Sequence, residues 1–290
     1  MKLIFIFIDG LGIGDKNPVK NPIYAAKAPC LINLFENVPY AEVDVTMGIK
    51  GLPQSATGQT AIFTGVNASR AINRHLNGQP TFTLKNIINE DNLFKRLIKM
   101  GLSPTNTNVY RDEYLQNMLT LKDRRLSPSV TTVMCMSSGI PFRGVKEFTE
   151  GNGIYHDLTG MIIKENGYDV EPISPEESAN RLFYISKDYD FTLFEHFMTD
   201  IIGHKADVEK GMEHILLLDR FLQRLLELVK DTDTTVFITS DHGNIEDCSI
   251  KTHTMNKVPA WIISKNDKYE KIRMGITEIT DIFGAVLSIL

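Results

Sequence analysis

At 290 residues, with 42% apolar and 23% charged side chains, the chain can build one large α/β domain with a modest insertion and is too apolar to be disordered throughout. Its 36 acidic against 31 basic side chains leave a net charge of −5, which excludes general electrostatic binding to nucleic acid. An anionic substrate would therefore need a local positive device, such as a metal ion.

Leu3 to Ile8 is apolar at every position, which predicts a central strand covered on both faces. It stops at Asp9 without a small-residue cleavage site, so it does not read as a signal segment. The glycine-rich stretch Asp9-Gly10-Leu11-Gly12-Ile13-Gly14 reads as the following loop. Tyr24 to Phe35 is expected to be helical, broken or restarted at Pro29. Gln54 to Thr60 reads as a loop entering a helix that ends at Gly65. Leu93 to Met100, closed by Gly101, is a short amphipathic helix, and Thr105 to Tyr110 the next strand.

Arg111 to Asn180 lacks a clean period; inside it, Thr131 to Met136 is strand-like. Residues 111–183 are expected to form a small lid or insertion, with 1–110 and 184–290 as the catalytic core. Order returns with a helix opened by Pro175 and capped by Ser174. Phe191 to Phe197 reads as a strand. Gly211 to Lys230 reads as a long helix with Ile215, Leu218, Leu222 and Leu225 on one face. Thr234 to Thr239 is a buried strand ending at Asp241-His242-Gly243, and Val258 to Ile263 and Thr280 to Leu290 give a last strand and helix. The alternation predicts an α/β fold: a doubly wound, mostly parallel sheet with helices on both faces. Cys30, Cys135 and Cys248 are far apart and form no CxxC pair, which points to a reducing, cytoplasmic setting. No apolar run approaches the ~20 residues needed to span a bilayer.

In an open parallel sheet, ligands bind outside the carboxyl ends of the strands. Asp9 and Asp241-His242 directly follow apolar strands. Asp200 and His204 follow a third strand at a separation of one helical turn, so both can face one ion. His253 lies just before the strand that starts at Val258. Three Asp and three His thus converge on one rim. Without thiolate, this set suits Mn²⁺, Zn²⁺ or Mg²⁺-like ions. Six ligands exceed what one open catalytic ion takes, but divided between two ions, with a hydroxyl as the seventh, they fit. The loop offers Ser55, Thr57 and Thr60, and spacing does not choose among them.

Each residue alone has an ordinary explanation: Asp9 as a loop acid, Ser55 as a helix cap, Asp200 and His204 as a helix-face pair, and His253 as a surface or core histidine. Their joint placement favours function. Of the other histidines, His214 is expected on a solvated face of the long helix and His156 in a loop. His196 is expected beside Asp200 or in the core.

Six blocks occur in a characteristic order: Phe7-Ile8-Asp9-Gly10, Asn21-Pro22-Ile23-Tyr24-Ala25-Ala26, Ser55-Ala56-Thr57-Gly58-Gln59, Asp200-Ile201-Ile202-Gly203-His204, Thr239-Ser240-Asp241-His242-Gly243-Asn244, and His253-Thr254 before Val258-Pro259. Together they resemble the alkaline phosphatase superfamily of two-metal phosphoryl-transfer enzymes, most of all its cofactor-independent phosphoglycerate mutase and phosphopentomutase branch. The resemblance covers residues 2–66 and 186–263. It implies Ser55 as nucleophile, one divalent ion on Asp200, His204 and His253, and another on Asp9, Ser55, Asp241 and His242. Two departures stand out. The branch's loop usually reads Ser-x-x-Gly-His, and here it reads Ser-x-x-Gly-Gln. The branch's large substrate-gripping domain is matched only by residues 111–183. Arg70, Arg74 and His75 follow the nucleophile helix and are candidates for holding an anionic group of the substrate.

The expected function is hydrolysis of small phosphate esters through a phosphoserine, with two divalent metal ions (Mn²⁺ or Zn²⁺) as cofactors. Intramolecular phosphomutase activity is the alternative, and a non-catalytic metal-binding protein a third. Sulfate or phosphonate esters are open as substrates. No nucleic-acid or membrane partner is expected.

Overall fold

The computed structural model describes residues 1–120 and 127–290. Its centre is a six-stranded sheet: β1 (Lys2–Ile8), β2 (Ala41–Val43), β3 (Pro104–Asn106), β4 (Phe191–His196), β5 (Thr234–Thr239) and β6 (Val258–Ile263). The strand order is β2-β6-β5-β1-β4-β3. β1 lies between β4 and β5 and runs parallel to both, with Ile8 opposite His196 and Phe7 opposite Thr239. β3 is parallel to β4, whereas β6 runs antiparallel to β5 and β2 antiparallel to β6. The sheet is therefore mixed but mostly parallel.

The pleat divides β1 between two cores. Leu3, Phe5 and Phe7 face a cluster with Ile62, Phe63, Phe94, Met134 and Val286. Ile4, Ile6 and Ile8 face a second with Leu31, Leu182, Leu218, Leu222 and Trp261. Helices thus cover both faces, and β1 is apolar at every position because neither face meets water. The helix Val208–Val229 supplies much of the second core from a single stripe.

The edge that matters is the one where β1, β4 and β5 end. Asp9, the segment Phe197–His204 and Asp241-His242 leave the sheet there. Because β6 is antiparallel, its starting end lies on the same edge, which brings the preceding loop and His253 to the rim. The strand direction explains how a residue before a strand joins residues after strands.

Three expectations are corrected. Thr131 to Met136 is not a strand but part of the helix Val130–Ser138. Its β-branched run misleads, but the Ser129 hydroxyl caps the helix by accepting from the Thr132 N–H, and Gly139 closes it in a left-handed conformation at φ 69°. Val130, Val133, Met134 and Cys135 pack into the first core. His214 is not solvated; it is buried at 7% exposure, with Nε2 2.8 Å from His196 Nε2. The strand expected over Thr105 to Tyr110 is regular only for Pro104–Asn106, and then continues as isolated bridges of Asn108 with Ile154 and Val109 with Arg143.

Within the segment 111–183, the helix Pro175–Ser186 packs into the second core through Ala179 and Leu182. A separate small cluster joins Val145, Phe148, Tyr155, Ile163 and Val170 with Val109. Residues 121–126 of the expected insertion lie outside the described residues.

Candidate metal centre

Ser55 is the first residue of the helix Ser55–Thr64, all ten residues of which are buried. The helix docks end-on against the rim because Gly58 has no side chain: a Cβ there would sit 2.9 Å from Asp241 Cβ. Gly10, at φ +75°, turns the chain sharply after Asp9. The helix Met198–Gly203 carries Asp200 and is followed at once by His204.

These elements assemble two adjoining ligand groups. In the first, His204 Nε2 is 3.4 Å from Asp200 Oδ2, His253 Nε2 is 3.3 Å from Asp200 Oδ1, and the two Nε2 atoms are 3.1 Å apart. In the second, His242 Nε2 is 3.2 Å from Asp9 Oδ1 and 3.6 Å from Asp241 Oδ2, and Ser55 Oγ is 2.9 Å from His242 Nε2. Asp200, with Asp9 and His242, also forms a compact trio able to hold a metal ion, so this carboxylate lies between the groups. The rings of His242 and His253 stack with centroids 3.7 Å apart, which fixes the distance between the groups.

The hydrogen bonds settle which nitrogen faces inward. Nδ1 of His253 is 2.8 Å from the Pro53 carbonyl, Nδ1 of His204 is 2.9 Å from that of Lys251, and Nδ1 of His242 is 3.4 Å from that of Gly243. A carbonyl only accepts, so each Nδ1 carries a proton, and in its metal-binding form each ring would turn an Nε2 lone pair to the centre. His204 and His253 then point lone pairs at each other and at a carboxylate. Asp9 Oδ1, buried and without a hydrogen-bond partner, faces the lone pair of His242. Such a set of acceptors is stable only around positive charge, and imidazole with carboxylate is the donor set of a divalent cation. The residues fit two such ions.

The same demand for positive charge appears in the titration of the groups. Burial disfavours the charged form of His242, yet its contact with Asp9 and the charges of Asp9 and Asp200 raise its pKa above the ordinary value. Burial pushes the Asp241 carboxyl up, and the nearby Asp9 and Asp200 add to this. Burial acts against Asp200 as well, but His253, His242, Asn244 and His204 outweigh it and hold the carboxyl at about 2.

All seven expected ligands meet at the rim. Arg74 and His75 are not brought to it. Arg74 is exposed, and His75 holds two loops together through Ser69 Oγ at 3.1 Å and the Ile49 carbonyl at 3.1 Å. Beside Ser55 opens a cavity of about 400 Å³, and among the described residues the Arg on its wall is Arg111.

Four residues not singled out as ligands support the centre. Gln59 Nε2 donates to Asp9 Oδ2 at 3.0 Å and reaches Asp241 Oδ2 at 3.5 Å, bridging two carboxylates. Asn244 Nδ2 donates to Asp200 Oδ1 at 2.6 Å. Glu246 is fully buried and accepts from Gly12 N–H at 3.0 Å, Asn244 N–H at 2.7 Å, Asn256 Nδ2 at 3.0 Å and the Thr254 hydroxyl. Its carboxylate thereby ties together the loops that follow Asp9, follow His242 and contain His253. Glu195, on the cavity wall, accepts from the Thr131 hydroxyl, and burial with the charge of Asp9 raises its carboxyl to about 7 against that bond. The only sequence sign of Glu195 is an acid near the end of a partly apolar strand, and that of Glu246 is an acid in the loop after Asp241-His242.

A family model described as the Metalloenzyme superfamily matches residues 1–290. A 2,3-bisphosphoglycerate-independent phosphoglycerate mutase from Mycoplasmopsis synoviae is 31% identical over 114 residues, which is 38% of this chain and 23% of that protein. The chain thus matches well under a third of that relative's length. In structure it is similar to the PH0037 protein from Pyrococcus horikoshii, with a TM-score of 0.58 at 14% identity, covering 99% of this chain and 96% of that one. It is also similar to alkaline phosphatase from the Antarctic bacterium TAB5, with a TM-score of 0.55 at 13% identity, covering 99% and 97%. At such identities the two structures speak for the fold, while the full-length family match decides membership: the chain belongs to the Metalloenzyme superfamily, with an alkaline phosphatase-like fold and a distant relation to cofactor-independent phosphoglycerate mutase.

Proposed function

We propose that the protein is a two-metal-dependent hydrolase of small phosphate esters that works through a phosphoserine at Ser55. The observation that carries this is Ser55 Oγ at 2.9 Å from His242 Nε2, within the second ligand group and at the start of a buried helix. One ion would be held by Asp200, His204 and His253, the other by Asp9, Ser55, Asp241 and His242. Bound Mn²⁺ or Zn²⁺ would neutralise phosphate charge and lower the pKa of the seryl hydroxyl.

The chain's own groups then have distinct tasks. Ser55 Oγ gives up its proton and bonds to phosphorus as the ester P–O bond breaks, and the departing alkoxide takes up a proton to leave as the alcohol. N–H groups of the helix start favour the phosphoryl oxygens. Asp9 and Asp241, held in register by Gln59, keep the nucleophile's surroundings fixed. Water then attacks phosphorus, and the Ser55–phosphorus bond breaks to release orthophosphate. A mutase would have to exclude water at this stage. Ile201 on the cavity lining is 41% exposed, so water reaches that part of the site, which fits hydrolysis. We assign the lid role to residues 111–183, whose Arg111, Tyr155 and His156 reach the cavity wall.

The experiment is orthophosphate release from a panel of phosphomonoesters by metal-loaded wild type and Ser55→Ala. Release by wild type, with a loss of orders of magnitude in the variant, supports the reading. Transfer of phosphate to a second hydroxyl of the same substrate, without release, would replace it with the mutase.

A further inference from the structure

The cavity beside Ser55 is larger than a phosphoryl group needs; its roughly 400 Å³ is within the range of small-molecule sites. Its walls differ in character. One side carries Asp9, Ser55, Gln59 and Asp200, where the reaction takes place. Among the other lining residues, which include polar groups such as Asn108 and Arg111, are Tyr110, Tyr114, Tyr155, His156 and Phe197, and these rings are already organised. Tyr155 and His156 have centroids 4.1 Å apart, and His156 stacks on Phe197 at 4.1 Å with an interplanar angle of 26°. Opposite in the chain, Tyr110 and Tyr114 stack at 5.9 Å and 14°.

Phe197 directly follows β4 and precedes Asp200 by three residues, so the aromatic platform is built on the same rigid element as a ligand of the centre. Tyr155 is buried and His156 packs against both it and Phe197, so these two rings back Phe197, which with Tyr110 and Tyr114 is only partly buried and leaves ring surface to a ligand. Ile201 continues the apolar surface on the cavity lining. An open-chain polyol phosphate is dense in hydrogen-bonding groups and gains little from such a wall. A flat ring gains stacking and desolvation there.

Resting on Ser55 as the nucleophile, we propose that the preferred substrates are phosphate esters whose alcohol half carries a planar aromatic ring, which stacks against Phe197, backed by His156 and Tyr155, while Ser55 takes the phosphoryl group. A nucleoside or a phenol could supply such a ring.

The test uses metal-loaded protein and two readouts. Orthophosphate release is compared for adenosine monophosphate, phosphotyrosine, a ribose phosphate and glycerol phosphate, in wild type and Phe197→Leu, a change that keeps apolar volume but removes the ring. Binding of the unphosphorylated alcohols adenosine, tyrosine and glycerol is followed by calorimetry. Ring-bearing esters should exceed the others in kcat/KM by roughly 10-fold or more, the usual scale of one stacked ring. Phe197→Leu should shrink that ratio, and a ring-bearing alcohol should bind saturably and more weakly to the variant. Tighter binding of adenosine than tyrosine assigns the ring to a nucleoside, and the reverse to a phenol. Equal kcat/KM across the panel, or a ratio untouched by Phe197→Leu, overturns the substrate class and leaves the hydrolase standing. Absence of release from every ester overturns both.

Discussion

Removing the Glu246 carboxylate should loosen the metal centre from a distance. Glu246 has no place in either ligand group, yet four donors from three loops end on it. Glu246→Ala leaves two buried backbone N–H groups, those of Gly12 and Asn244, without their acceptor. At about 1–3 kcal/mol for each unsatisfied buried group, the cost is roughly 2–6 kcal/mol. Glu246→Gln should be far milder. Its amide oxygen can face the two N–H groups while its NH₂ donates to the Thr254 hydroxyl and, once the Asn256 amide flips, to Asn256 Oδ1, so mainly the charge assistance is lost, about 1–2 kcal/mol. The loops also hold Asp9, His242 and His253 in place, so metal affinity should fall roughly 10–100-fold in the Ala variant. Urea unfolding of the metal-free variants measures the first effect, and calorimetric Mn²⁺ titration the second. Excess metal should restore much of the lost activity. An Ala variant that unfolds within about 0.5 kcal/mol of wild type and binds Mn²⁺ normally would refute the positioning role.

Three further outcomes are expected. His242→Ala should abolish turnover while circular dichroism shows the fold intact, and near-normal rates at saturating metal would remove His242 from the ligand set. Gln59→Leu, which deletes the donor shared by Asp9 and Asp241, should lower Mn²⁺ affinity by roughly 10-fold in a calorimetric titration; unchanged affinity would show that the bridge is idle. His214 is held neutral by burial, its pKa lowered from 6.5 to about 4. The unfolded chain therefore binds the proton first as pH falls. Its contribution is complete above pH 6.5 and is lost on descent to about pH 4, up to about 3 kcal/mol. Urea unfolding across that window should show a shallower loss in His214→Gln, and equal slopes would exclude His214 as a cause.

The parallel core was legible because Leu3 to Ile8 is apolar at every position, β4 and β5 are partly so, and β1 and β5 run into the acids Asp9 and Asp241. Convergence followed from the rule that such ends share an edge. The antiparallel direction of β6 was not legible, since a buried strand looks alike in either direction. The helix Val130–Ser138 was hidden by Thr131, Thr132 and Val133, whose β preference was overruled by a cap at each end and by packing. His214 could have been placed correctly, because it stands four residues before Leu218 on the apolar stripe of its helix. Glu246 could not: its partner Gly12 is 234 residues away, and main-chain donors leave no mark on a sequence. Arg74 and His75 do not line the cavity beside Ser55, since basic residues close to a nucleophile in sequence need not face it.

The most direct test of a phosphoserine hydrolase is mass spectrometry of metal-loaded enzyme mixed with a phosphomonoester and quenched in acid during turnover. One added phosphoryl group should appear on the peptide containing Ser55 and disappear as orthophosphate is released. A phosphorylated peptide lacking Ser55, or sustained orthophosphate release with Ser55 never modified, would contradict it.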